Sequence, residues 1–99
     1  ADVVCLYSTF FETFITTPPI IPNTIKSMSW SFCNTPITTT PIIPKSVDDI
    51  SYAFAYCYNL TGPIEINSNP TYYDSALEDT NITEVTGKTT LKTEILATK

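Results

Sequence analysis

One interval dominates the sequence and limits what it can fold into. Pro19, Pro41 and Pro63 are spaced 22 residues apart, and the text around them repeats as PIIPNTI, PIIPKSV and PIEINSN. A fixed period between about 20 and 50 residues is the mark of stacked supersecondary units, each unable to bury its apolar face alone. The same interval links Phe10, Phe32 and Phe54, then Ala76; it links Leu6, Met28, Ile50 and Tyr72; and it links Val3, Ile25 and Val47. Large apolar residues at equal spacing pack inward on one another. Phe10, Phe32, Phe54, Leu6, Met28 and Ile50 are therefore expected to form the core ladder, and no chemistry is assigned to them.

Within one repeat, Leu60–Ile66 alternates apolar with polar or small residues, the period-two pattern of a short strand, and Thr38–Ile43 and Thr16–Ile21 are its equivalents. Proline ends each strand, because it fixes φ and cannot donate to a ladder. Val47, Ile50 and Phe54 then follow at helical spacing over one or two turns. In each Pro-Ile-Ile-Pro segment only one isoleucine of the pair can point inward, so an exposed row of isoleucine or threonine is expected. The expected fold is an α/β solenoid, a leucine-rich-repeat-like array of about four 22-residue repeats near 1–18, 19–40, 41–62 and 63–84. Short parallel strands would line one face and helical turns the other. Residues 1–87 form the array in this reading, and 88–99 a capping helix and tail, since Leu91, Ile95 and Leu96 share one side of a short amphipathic segment. Ala1 aligns with Asn23, in the middle of a repeat, so the N-terminal edge is expected to be uncapped and closed by more protein or by another subunit.

These residues resemble the proline-containing branch of the BspA-like leucine-rich-repeat family of surface proteins. Residues 41–66 carry the likeness best, with Ile-Pro, a Val and Ile three apart, the Ala-Phe pair and Cys57-Tyr58-Asn59-Leu60; residues 15–40 carry it less closely, with Thr35 where the cysteine would fall. The resemblance implies an extracellular, cell-surface or virion-surface protein that binds host proteins, other cells or matrix, with related repeats on bacteriophage tail and adhesin proteins. It lends an architecture and a class of role and no ligand. Glu65 in place of Ile21 and Ile43, and Ala76 in place of the repeated Phe, suggest an array closing at its C-terminal end.

Chemistry is limited by what the chain lacks. It has no histidine, so neither a Ser-His nor a Cys-His nucleophilic pair can be assembled. Asp48-Asp49 and Glu78-Asp79 are adjacent carboxylates in turns, whereas a glycosidase needs two facing each other across about 5 to 10 Å and calcium needs about six to eight converging oxygens. No catalytic residue, metal ligand or cofactor is expected. Three cysteines exclude a complete disulfide framework and leave two readings, buried free thiols or a Cys33–Cys57 bridge. Net charge is −5, which disfavours nucleic acid as a partner, and no apolar run approaches the roughly 20 residues a membrane span needs. A hydrophobic content of 42% argues against disorder, so the prolines mark structure. Asn59-Leu60-Thr61 and Asn81-Ile82-Thr83 match the glycosylation sequon, a spacing that the repeat alone also explains. The late tyrosines Tyr52, Tyr56, Tyr58, Tyr72 and Tyr73 read either as flanks of the core or as a recognition surface.

Two roles fit. In the first, the strand face bearing Ile20, Thr38, Thr40, Ile42 and Glu65 binds a protein or glycan on another cell. In the second, the uncapped N-terminal edge packs against copies of the chain to build a fibre, spike or homo-oligomer.

Overall fold

The computed structural model describes Cys5, Tyr7 and residues 9–99. Strand β1 (Thr61–Glu65) and strand β2 (Asn81–Thr86) form a two-stranded parallel sheet, and helix α1 (Lys92–Leu96) packs on β2. The body measures 33 × 31 × 19 Å. The solenoid of about four equivalent strand-and-helix repeats is thus not what forms: among the described residues there are two strands, one helix and a compact body. Pairing intervals also drift. Thr61 pairs with Asn81 and Pro63 with Glu84, across a bulge after Gly62, while the isolated bridges run Ser27–Asp49, Ile43–Ile66 and Asp49–Tyr72.

Proline explains why the strands expected at 16–21 and 38–43 are missing. A parallel ladder needs N–H donors from both partners, and prolines supply none. Segment 16–21 contains Pro18 and Pro19, segment 38–43 contains Pro41, and Leu60–Ile66 contains Pro63, so each neighbouring pair loses donors on both sides. What remains of pairing between 38–43 and the segment at 60–66 is the isolated bridge of Ile43 to Ile66, just past β1, with Ile43 N donating to Glu65 O at 2.9 Å and Asn67 N donating to Ile43 O at 2.9 Å. Asn81–Thr86 is proline-free, and β1 completes a ladder against it.

The helical turns are absent for a different reason. Every second N–H of the aromatic segments donates outward instead of to the fourth residue back. Met28, Trp30, Phe32 and Asn34 donate to the carbonyls of Asp49, Ser51, Ala53 and Ala55 at 2.8–3.0 Å, and Ile50, Tyr52, Phe54 and Tyr56 repeat the pattern against Tyr72, Asp74, Ala76 and Glu78. Between these, tight bonds such as Ser31 N to Met28 O and Ala53 N to Ile50 O reverse the chain locally. Such alternation requires left-handed residues, and Trp30, Asn34, Tyr52 and Tyr56 take φ of 61°, 57°, 56° and 62°. A helix cannot pass through them.

The outward bonds bring the aromatic columns into contact. Phe32 is fully buried between Phe10 (ring centroids 5.2 Å apart, planes at 7°) and Phe54 (5.5 Å, 2°). Met28 and Ile50 are buried with them, Phe10 is half-buried against the cluster, and Leu6 lies outside the described residues. Alternation within Pro-Ile-Ile-Pro places Ile21 and Ile43 inside and leaves Ile20 94% and Ile42 58% exposed.

Beyond β2 the chain turns at Gly87 into α1. Asn69 organises this entry, its Oδ1 accepting from the Thr89 hydroxyl at 3.0 Å and from Thr90 N at 2.8 Å. At the other end, the Thr98 hydroxyl donates to Ile95 O at 2.6 Å and accepts from Leu77 N at 3.1 Å, which ties the helix to the core that buries Ile95.

Candidate functional site

The two Pro-Ile-Ile-Pro segments build the larger concavity. Proline pins φ in both, so the outward isoleucines are presented on a backbone with little freedom left to lose. Between them runs a groove of about 760 Å³ lined by Pro18, Pro19, Ile20, Thr40, Pro41 and Ile42, with Lys45, Asn67 and Lys88 also on its wall. Among the described residues no carboxylate lines it, in a chain whose net charge is −5. Of the five residues read as a binding face, Ile20, Thr40 and Ile42 meet here. Thr38 and Glu65 do not. The Thr38 hydroxyl donates to Thr16 O at 3.4 Å, and the Glu65 carboxylate accepts from Asn67 Nδ2 at 2.9 Å. Thr40 spends its own hydroxyl on Pro63 O at 3.1 Å, so it contributes shape to the groove more than a free donor.

A second concavity of about 450 Å³ was not legible as a site. Phe14, Tyr56 and Tyr58 surround it together with Glu12, Asn34 and Asn59. Glu12, Asn34 and Tyr56 stand at one repeat position and all take left-handed φ, of 56°, 57° and 62°. Asn34 Nδ2 donates to Glu12 Oε2 at 3.3 Å, and hydrogen bonding to Glu78, with the charge of that carboxylate, pushes the Tyr56 hydroxyl above its ordinary range. The signal available in the sequence was a column sharing an interval without sharing a side chain. What repeats there is backbone geometry, to which asparagine is best suited. Of the late tyrosines, Tyr58 and Tyr72 are exposed, while Tyr52 is half-buried and stacked on Trp30 at 4.2 Å.

The cysteines are free; Cys33 and Cys57 are buried and Cys5 is exposed. Cys57 Sγ donates to Phe32 O at 2.9 Å and lies 3.6 Å from the Thr35 hydroxyl. Burial first, then the charges of Cys57, Glu12 and Glu78, push the Cys33 thiol up to about 11 from an ordinary 9.0; burial also raises Cys57. Both are therefore protonated and poor nucleophiles at neutral pH. A raised thiol pKa favours the folded state as long as the unfolded chain also keeps its proton. That advantage is complete below pH 9 and is lost as pH rises from 9.0 towards about 11. The melting temperature should hold flat from neutral pH to the lower bound and then fall. Cys33→Ala should make the fall shallower, and an equally steep fall would refute this account. Among the described residues no three Cys, Asp or Glu side chains converge to hold a metal ion, and no helix is long and apolar enough to cross a membrane.

In comparison with known proteins, the chain matches no family model, no curated protein and no solved structure at a significant level.

Proposed function

We propose that this chain is a non-enzymatic binding module of an extracellular, cell-surface or virion-surface protein, and that it takes a protein ligand in the Pro-Ile groove. The observation that supports it is the exposure of Ile20 and Ile42 in one concavity walled by prolines and two lysines. Apolar residues held outward on a stiff backbone favour association, because little conformational freedom is lost when they are covered. Lys45 and Lys88 on the wall, with no carboxylate among the described lining residues, favour an extended segment that alternates aliphatic and acidic residues. The kinship with BspA-like surface proteins belongs to the same proposal and rests on the sequence likeness alone.

Self-assembly through the uncapped N-terminal edge is the weaker reading, because strand pairing there would be opposed by proline. Pro18, Pro19 and Pro22 stand in the N-terminal segment that would have to pair and have no N–H to donate, a common way of blunting an edge.

Selection of a displayed random-peptide library on the immobilised chain tests the groove. Peptides with aliphatic residues next to Asp or Glu should be enriched. Ile20→Asp and Ile42→Asp should each weaken the selected peptides by about tenfold or more, the effect of losing one buried isoleucine and adding a repelling charge. Selected peptides that bind both variants as tightly as the parent would refute the groove as the site.

A further inference from the structure

The smaller cleft carries chemistry that the groove does not. We infer that the cleft of Phe14, Tyr56 and Tyr58 is a second binding site, for a neutral pyranose unit of a glycan. No residue is shared between the two concavities, so this inference stands or falls apart from the protein-binding reading.

A pyranose ring offers two things at once: an apolar face of C–H groups, and a rim of hydroxyls that each donate and accept. Aromatic rings match the first, since their electron-rich faces attract polarised C–H groups; carboxamides match the second, having both donors and acceptors. The cleft supplies both kinds of group. Phe14 is 93% and Tyr58 60% exposed, large rings left in water at the mouth of a concavity. Asn34 and Asn59 supply the carboxamides, and the Asn34 group is held in place by its bond to Glu12.

Charge decides which sugars fit. Glu12 lines the cleft, Glu78 faces the Tyr56 hydroxyl, and no lysine or arginine lines it. A carboxylate accepts strongly from sugar hydroxyls and repels sialic acids and sulfated units. The floor is preorganised. Glu12, Asn34 and Tyr56 are held by backbone bonds from their N–H groups to Cys33 O, Ala55 O and Glu78 O at 3.1, 2.8 and 2.7 Å. A volume of about 450 Å³ falls inside the range of roughly 300–1,000 Å³ typical of small-ligand sites.

An amide-resolved NMR titration of the whole chain tests the inference, with maltotriose, cellotriose, chitotriose and lactose as neutral probes and 3′-sialyllactose as the anionic one. At least one neutral sugar should shift the amides of Asn34, Tyr58 and Asn59 together, and sialyllactose should shift them less. Tyr58→Ala, and Asn34→Gly, which keeps the left-handed backbone while removing the carboxamide, should each weaken that sugar by about tenfold. Phe14→Ala, at a nearly fully exposed position, provides a third variant with little bearing on folding. The inference is overturned if no neutral sugar moves these amides, if sialyllactose moves them more, or if binding survives Tyr58→Ala and Phe14→Ala unchanged. It is also overturned if only the groove-selected peptides move them.

Discussion

Phe32→Ala is expected to destabilise the protein by about 3–5 kcal/mol, enough to lower the melting temperature by tens of degrees in a domain of this size. Phe32 is the ring most dependent on its neighbours. It is fully buried, and both of its faces are covered by parallel, offset rings, Phe10 at 5.2 Å and Phe54 at 5.5 Å. Removing it leaves a cavity between two rings that cannot close together, because the backbone bonds of Phe10 N to Ser31 O and of Phe32 N to Ala53 O keep the Phe32 segment between theirs. Each lost ring pair adds about 0.5–1.5 kcal/mol to the cost of lost burial. Phe54→Ala should cost less, since Phe54 stacks on one phenylalanine and meets Ala76 at the next position in the column. Phe10→Ala should cost least, its ring being only half-buried. Urea unfolding of the three variants gives the ranking. Equal losses for Phe32→Ala and Phe10→Ala would show that the rings do not act as a column.

The second large effect is expected at Gly87. This residue takes φ of 97°, and a Cβ placed on it would lie 2.5 Å from Ile66 O and 2.9 Å from Asn67 Oδ1. Two costs therefore add for Gly87→Ala: about 1–3 kcal/mol for a side chain held in a left-handed conformation, and a comparable amount for moving a backbone carbonyl that cannot swing away. Ile66 O also accepts from Thr89 N at 3.0 Å, so displacing it loosens the entry to α1 and with it the burial of Ile95. Gly62 supplies the internal control. Its φ is 81°, but an added Cβ would meet nothing within 4 Å, so Gly62→Ala should cost only the conformational part, about 1–2 kcal/mol. Hydrogen exchange should show the α1 amides opening in Gly87→Ala and unchanged in Gly62→Ala. Equal urea midpoints for the two variants would refute the steric half of the account.

Much of the interior was legible from spacing, because identical residues at one interval can bury themselves by lying over one another. Ile25 and Val47, Met28 and Ile50, and Phe32 and Phe54 are all buried. The strands expected at 16–21 and 38–43 do not form, for a reason visible in the same residues. The repeated proline that marks the interval also removes donors from both partners of every neighbouring pair except β1–β2, where only β1 carries one. Helical spacing at Val47, Ile50 and Phe54 misled more deeply. A period of three and four shows only which residues face inward, and a run of tight turns that bonds outward at every second residue satisfies it as well as a helix does. Tyr52 and Tyr56, at positive φ, decide between the two, and tyrosine carries no local preference that announces it.

The candidate sites divide along the same line. Ile20 and Ile42 could be read as outward from the alternation within Pro-Ile-Ile-Pro, since the pleat sends adjacent residues to opposite faces. The aromatic cleft could not, because Phe14, Asn34 and Tyr58 come from three segments whose side chains share no motif. By itself the sequence determined the interval at which Met28 and Ile50, and Phe32 and Phe54, meet in the interior, though not the exposure of Tyr72 in the same column, and it contains no histidine. Those follow from composition and period. Only the tertiary structure decided that the interval would be spanned by outward-bonded turns instead of repeated strands and helices. Each backbone N–H can be satisfied in more than one way, and the choice rests on the carbonyl that the neighbouring segment brings within reach.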